Sequence, residues 1–518
     1  MQPNIFLALR PVGIITYVVI TIGLFLEFFV KDGLKLFSFQ GKYRILHLTW
    51  FAFFITFVIW LSLGPMMPFI QEALGLTDQQ AKVLLILNVA MTIPARILVG
   101  MLVDKLGPKA MFSSILILGG LVSIAFSWTS SYDQLAFMRF LSGFIGAGFV
   151  VGIRMIAEWF PAKQTGIAQG IYGGWGNFGS AGAAMTLPFI AASFGDVDGW
   201  RYAITLVSVL AIFYGVYYYF SVSNTPKGST YFKPKKSGAM EVSSLTDLVM
   251  YVLMNIPLYL ALALLTWKLS PSGMGLISST VELTIYATLI VIYFFQVLRI
   301  CSINADSVKN PAPKKHQYKF KQVAILDWAY LVTFGTELAV VSMLAMFYVD
   351  WFELPKITAA LLAGVYPFIN LFARPGGGWL SDKFGRKQIL IVAFSGVTLS
   401  FLSLGYVDKD WSVWLVVGLT VVGGIFSQAG SGAVFAMVPL IQRRLTGQIA
   451  GMAGAFGNVG AVVFLIVNSL VDYDQFFTLI GTVSAVALIM IVVFLEEPAG
   501  HMTEVLGDGT VEIIKVSS

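Results

Sequence analysis

Residues 95–109 read Ala95-Arg96-Ile97-Leu98-Val99-Gly100-Met101-Leu102-Val103-Asp104-Lys105-Leu106-Gly107-Pro108-Lys109. Residues 373–387 read Ala373-Arg374-Pro375-Gly376-Gly377-Gly378-Trp379-Leu380-Ser381-Asp382-Lys383-Phe384-Gly385-Arg386-Lys387. In both, the arginine stands four residues before a glycine, eight before an aspartate and thirteen before a lysine. A second pair of blocks repeats too. Thr165-Gly166, Gly170, Gly173, Gly176-Asn177 and Gly179 recur at identical spacing as Thr446-Gly447, Gly451, Gly454, Gly457-Asn458 and Gly460. Chance does not produce repetition at this density, so the chain is two related halves.

The surroundings of these blocks are apolar. The 518 residues are 57% hydrophobic and 12% charged, whereas soluble domains carry about 25% charge; a water-soluble reading fails. One cysteine, Cys301, excludes an intrachain disulfide framework and a multi-thiolate metal site, and reads as a small filler near a helix end. His47, His316 and His501 have no metal-binding spacing, so neither a metal nor a cofactor is expected.

A bilayer needs about 20 apolar residues per helix. Twelve principal segments satisfy this: 47–70, 82–103, 111–128, 134–157, 167–192, 202–222, 325–349, 357–380, 388–406, 411–438, 447–469 and 476–495. Three more lie outside that set, at 13–30, 246–267 and 278–299. The first has no small-residue cleavage site after it and is not expected to be removed. Lys105, Lys109, Lys163, Lys383, Arg386, Lys387, Arg443 and Arg444 collect on one side, opposite acidic loops such as 196–198 and 472–474. Basic loops face the cytoplasm. The expected fold is therefore an all-α, multi-pass membrane protein of two pseudosymmetric six-helix halves. Its expected divisions are 1–46 (an N-terminal segment), 47–222 (the first half), 223–324 (an insert with two helices), 325–495 (the second half) and 496–518 (a cytoplasmic tail with a faint strand signal).

Arg96 and Arg374 lie about 12 Å of helix from the aspartates that mark the cytoplasmic edge. Both guanidiniums thus sit deep in hydrocarbon, where an arginine costs at least about 2.5–3.5 kcal/mol and is usually functional. No acidic residue stands within a turn of either on its own helix. Pseudo-twofold symmetry aims both at one central cavity. Two planar, forked cations there make a site for a planar oxyanion. The bland alternative is a carboxylate partner elsewhere, such as Glu337. Asp104, Lys105, Asp382, Lys383 and Arg386 end helices on the cytoplasmic face, where an ion pair between halves could latch one conformation; simple topogenic charge is the alternative.

The duplicated halves, the twice-occurring Gly-x-x-x-Asp-Lys-x-Gly-x-Lys loop and Arg139-Phe-Leu-Ser-Gly143 resemble the major facilitator superfamily over all twelve principal segments. Gly173-Gly174-Trp175-Gly176-Asn177-Phe178-Gly179, with its weaker copy Gly454-Ala455-Phe456-Gly457-Asn458-Val459-Gly460, resembles the signature of the nitrate/nitrite porter family. Phe37-Ser38-Phe39-Gln40-Gly41, the central insert and Lys319-Phe320-Lys321-Gln322 are most similar to cyanobacterial-type nitrate permeases. The resemblance implies nitrate between Arg96 and Arg374, walled by Phe149, Tyr330 and Phe334, with Asn177 and, at its degraded copy, Asn458 as further ligands. It implies a plasma-membrane (cell inner membrane) transporter of nitrate and nitrite with alternating access, not an enzyme.

Glu337 is the candidate for proton coupling, with a structural pairing to Arg139 or Arg154 as the alternative. Arg154 and Glu158, four apart, are expected to pair. Glu282 belongs to the insert and is placed outside the path; packing on the outside of the bundle is the default for the insert. Lys233–Lys236 and Lys309–Lys321 read as loops facing lipid, or meeting a cytosolic regulator that senses nitrogen status. A monomer without nucleic acid is expected. Proton-coupled uptake is the expected mode, with nitrate/nitrite exchange, carriage of another small anion and a non-transporting nitrate receptor as the alternatives.

Overall fold

The computed structural model describes residues 38–195, 198–228, 239–242, 244–309, 317–442, 445–497, 501–505 and 511–515. Its helices are α1 (Gly41–Leu74), α2 (Asp78–Leu106), α3 (Pro108–Ser127), α4 (Tyr132–Trp159), α5 (Ala162–Phe194), α6 (Gly199–Ser221) and α7 (Leu245–Leu269). They continue as α8 (Ser279–Lys309), α9 (Phe320–Phe352), α10 (Lys356–Phe384), α11 (Arg386–Leu404), α12 (Val413–Ile441), α13 (Thr446–Asn468) and α14 (Tyr473–Phe494). Among the described residues thirteen are long and apolar enough to cross a bilayer; α5, with 33 residues, has the length but is diluted by glycine. Helices are forced here, because hydrocarbon offers a backbone N–H or C=O no partner outside its own segment.

Each of the twelve principal segments, and each of the inserted pair, is a helix. Several run longer than hydropathy indicates: α9 spans Phe320–Phe352 against the expected 325–349. Hydropathy registers only the apolar run, while helical hydrogen bonding continues into the polar headgroup zone. The tail forms an antiparallel hairpin of β1 (His501–Val505) and β2 (Val511–Lys515), with His501 opposite Lys515. The apolar stretch 13–30, Lys233–Lys236, His316, Arg443 and Arg444 lie outside the described residues.

Within the halves α5 packs along α1, and α13 along α9; between them α5 meets α10, and α13 meets α2. These crossings are close because both partners carry glycine. A Cβ on Gly100 would lie 2.9 Å from the Gly447 carbonyl, and one on Gly378 2.6 Å from that of Gly166. On the opposite side Gly64 of α1 packs against the Val341 and Ser342 backbone of α9, and Lys356 forms an ion pair with Glu72. The halves touch at both ends, so the molecule is occluded.

The inserted α7 packs on α13 and α9, and α8 leans on α7. Gln296 ties them, donating to Asn255 Oδ1 at 2.7 Å and accepting from Tyr259. Most of α8 faces outward, and Cys301 is exposed on it rather than filling a gap. Glu282 sits on this outer helix and accepts from Tyr286 at 3.3 Å.

The expected ion pair between halves at the cytoplasmic loops is not what forms. Asp104 pairs with Arg154 at 3.1 Å, and Asp382 with Arg386 at 2.9 Å, each inside its own half. What crosses is carboxylate against the opening turns of a helix: Asp382 accepts from the Ile167 N–H in the second turn of α5, and Asp104 lies against Gly447 in the first turn of α13. Helix N-termini attract anions through unpaired N–H groups and the helix dipole. Lys383 instead lies over the Trp379 and Phe384 rings, Lys105 is exposed, and neither forms an ion pair among the described residues. The expected Arg154–Glu158 pair forms at 2.9 Å. Asp104→Asn is expected to cost about 3 kcal/mol, the low end for breaking a buried pair, because Arg154 retains Glu158. The thermal midpoint of the purified protein checks this.

Candidate anion-binding site

Both arginine helices break just before the arginine, α2 at Met91 and α10 at Ile369. Pro94 has no N–H and crowds the Ala90 carbonyl, which loosens α2 there. In α10 Pro367 precedes the break and Pro375 follows Arg374. Pro375 leaves the Leu371 carbonyl without its helical donor, and the Trp175 indole of α5 supplies one at 3.1 Å. The break is thereby tied to the opposite half.

Arg96 is 0% and Arg374 1% exposed. Arg96 Nε donates to the Gly146 carbonyl at 3.1 Å, in the 3-10 turn Gly143–Ala147 of α4, and its Nη1 to Gly454 of α13 at 2.8 Å. Arg374 Nη2 donates to the Tyr330 hydroxyl at 2.8 Å. Arg96 Nη2 and Arg374 Nη1 have no hydrogen-bond partner. Each fork therefore keeps one buried nitrogen ready to donate.

The two forks flank the same rings. Phe149 of α4 lies nearly parallel to Tyr330 (centroids 6.1 Å apart, 9° between planes) and to Phe334 (6.3 Å, 15°) of α9. Arg96 Cζ is 4.7 Å from the Phe334 centroid and 5.3 Å from that of Phe149; Arg374 Cζ is 5.5 and 5.6 Å from the same two. Contacts of this kind contribute about 0.5–2 kcal/mol each, which offsets part of the cost of burying the cations.

The glycine blocks make room for this arrangement by exchange between halves. Gly173 of α5 faces Arg374, where a Cβ would be 3.2 Å from Cδ, and Gly454 of α13 faces Arg96, where it would be 3.0 Å from Cδ. Gly176 faces the Phe53 ring, Gly457 the Tyr330 and Phe334 rings, and Gly179 and Gly460 the backbones of α1 and α9.

Three expectations change here. Asn177 does not point its N–H donor at the guanidiniums; its Nδ2 donates to Glu337 Oε1 at 2.9 Å. Asn458 Nδ2 donates to the Gly454 carbonyl at 2.9 Å, the same oxygen that holds Arg96. Glu337 pairs with neither Arg139 nor Arg154. Arg139 donates to the Trp60 carbonyl at 2.8 Å, while Glu337 Oε2 lies 3.9 Å from Arg374 Nη1. The reason is rotational: Glu337 is seven residues beyond Tyr330, two helical turns on the same face, which puts it beside Tyr330's own partner.

Asn370, Trp175 and Phe435 belong to the site and were not singled out from sequence. Asn370 Nδ2 donates to Glu337 Oε1 at 2.8 Å, so this oxygen receives one amide from each half. Phe435 of α12 stands edge-on to Phe149 at 4.7 Å and to Tyr330 at 4.8 Å. A signal for it exists: Gly432-Ala433-Val434-Phe435 repeats Gly146-Ala147-Gly148-Phe149. Two guanidiniums and one carboxylate leave the centre one net positive charge, which a single monovalent anion would neutralise.

The family model of the Major Facilitator Superfamily matches residues 49–303 and 326–514. The chain is 41% identical over 473 residues to a nitrate/nitrite transporter of Nostoc punctiforme, covering 90% of this chain and 95% of the relative. It is also 41% identical over 514 residues to a nitrate/nitrite transporter of Picosynechococcus, covering 91% and 96%. Among solved structures it resembles the xylose transporter XylE from E. coli in a partially occluded inward-open conformation, with TM-score 0.57 and 16% identity over 88% of this chain and 98% of that one.

Proposed function

The chain belongs to the major facilitator superfamily, in its nitrate porter family, and from that premise we propose that it carries nitrate and nitrite across the plasma membrane (the cell inner membrane) by alternating access. It is a transporter, not an enzyme. The observation that carries the substrate is the pair of buried forks, Arg96 and Arg374, each with an unpartnered nitrogen beside the same parallel rings. Nitrate is flat, monovalent and weakly basic. It stacks between rings while its oxygens accept from guanidinium N–H groups, and it cancels the net charge of the centre. Every group in the site comes from one chain, so a monomer suffices.

Proton symport accounts for uptake against an inside-negative potential, which opposes an anion by about 2.3 kcal/mol per 100 mV. Glu337 is the coupling group next to the substrate. Its Oε1 is held by Asn177 and Asn370, and its Oε2 has no hydrogen-bond partner but lies 3.9 Å from Arg374 Nη1. Nitrate at Arg374 sets a like charge against Oε2, and a proton there relieves the repulsion. Anion and proton then load together.

Uptake of labelled nitrate into proteoliposomes, with an acid-outside gradient or with internal nitrite, tests this. Acceleration by the gradient supports symport; acceleration by internal nitrite alone indicates exchange, and no uptake indicates a receptor. Glu337→Gln is expected to retain nitrate binding within about threefold, since an amide keeps the shape of the carboxyl, yet lose most of the response to the gradient. A variant that does not insert would favour a structural role for Glu337.

A further inference from the structure

Asp327 is a second buried carboxyl in α9, and its surroundings differ from those of Glu337. It is 0% exposed, and neither Oδ1 nor Oδ2 has a hydrogen-bond partner. Glu337 has two amide donors and a guanidinium nearby. Asp327 has neither.

Among the described residues no cation pairs with it. α12 and α13, packed on α9, contain no titratable residue at all. Of the charged groups that α10, α14 and α1 turn toward α9, Arg374 is engaged by the Tyr330 hydroxyl and lies beside Glu337, while Lys356, Asp474 and Glu72 lie at the extracellular ends with Tyr473; Tyr366 sits midway along α10. α9 itself adds Tyr330, Glu337 and the terminal Lys321 and Asp350. From the insert, α7 brings Asp247, which caps α9 by accepting from Phe320 N at 2.9 Å, and Tyr251, whose phenol stands within electrostatic range of Asp327. An ionised Asp327 would be a desolvated charge with no counter-ion and no donor, a state proteins avoid by neutralising the group. Asp327 therefore holds a proton in this occluded state.

Asp327 is seven residues from the start of α9, about 10 Å of helix. Tyr251 Oη accepts from Met240 N at 3.4 Å in the segment that precedes α7, which leaves its own proton free to donate. We propose that Asp327 is a proton-binding site of the transport cycle, loaded in the occluded state and emptied toward the cytoplasm past Tyr251 of the inserted helix. This rests on the nitrate-symport reading and gives the insert a part in it.

The test compares wild type, Asp327→Asn and Asp327→Glu in proteoliposomes. Two rates are read: nitrate counterflow without a gradient, and uptake with an acid-outside gradient. Wild type is expected to respond to the gradient. Asp327→Asn, a fixed neutral mimic, should keep counterflow and lose about fivefold or more of the acceleration, the scale of an ordinary coupling between sites. Asp327→Glu should restore acceleration with a displaced pH dependence, a displacement that a purely structural carboxyl would not give. Full acceleration in Asp327→Asn overturns the proposal. Should that variant fail to fold, an unchanged pH dependence in Asp327→Glu overturns it. A wild type indifferent to the gradient removes symport itself, which is a separate failure.

Discussion

Arg96→Lys and Arg374→Lys should each abolish nitrate uptake, a loss of at least about a hundredfold if two charge-assisted hydrogen bonds of about 1.5 kcal/mol each disappear. The charge is kept, so electrostatics alone does not predict this. The geometry does. Arg96 sends Nε to Gly146, Nη1 to Gly454 and keeps Nη2 for a ligand, three directions in one plane. A lysine ammonium is a point charge that cannot hold two carbonyls of two halves and present a third donor in that plane. Arg374→Lys likewise loses either the Tyr330 hydroxyl or the ligand. Expression and thermal midpoint near wild type would assign the loss to the site, and near-normal uptake would contradict it.

The second large effect comes from the glycines that face the arginines. A Cβ on Gly454 would meet Arg96 Cδ at 3.0 Å, and one on Gly173 would meet Arg374 Cδ at 3.2 Å. Alanine there forces a shift of a few tenths of an ångström, expected to raise the KM about three- to tenfold, the effect of about 1 kcal/mol of overpacking. Valine adds branches that point into the fork and should leave no measurable transport. Gly376→Ala is the control, since a Cβ there meets nothing within 4 Å. Equal, mild effects at all three positions would mean that the signature serves helix packing only.

The fold was legible in the sequence because bilayer crossing imposes a length and a composition, and duplication imposes register. Arg96 and Arg374 were accessible for the same reason, whereas Phe149, Tyr330 and Phe334 came only from the resemblance to the nitrate/nitrite porter family. The rest was hidden because the symmetry is imperfect where the chemistry is. Asn177 and Asn458 occupy equivalent places but serve different acceptors, since only the second half carries a carboxylate beside its arginine. The residue equivalent to Glu337 is Trp60, by the same offset of seven from Phe53 that separates Glu337 from Tyr330, and Trp60 donates to the Asn88 carbonyl. Asn370 corresponds to Thr92, which precedes Arg96 by the same four residues and bonds the Gly143 carbonyl. A repeat identifies what the halves share and says nothing about where they diverge. The latch was misread for a related reason: charges adjacent in a motif need not pair across the interface, and the opening turns of helices compete for the same carboxylates.

That divergence bears on the mechanism. Two bare arginines with one nitrate would leave a surplus positive charge in hydrocarbon. Glu337 removes the surplus while it is ionised, and a proton taken up with nitrate restores it, so under symport the loaded and the empty centre carry the same single net positive charge.

The most direct measurement is nitrate binding to the purified protein, read as nitrate-dependent thermal stabilisation in wild type, Arg96→Lys and Arg374→Lys. A nitrate site between both forks predicts saturable stabilisation of wild type, competition by nitrite, and loss of the effect in each variant alone. Stabilisation persisting unchanged in either variant would contradict the two-arginine site.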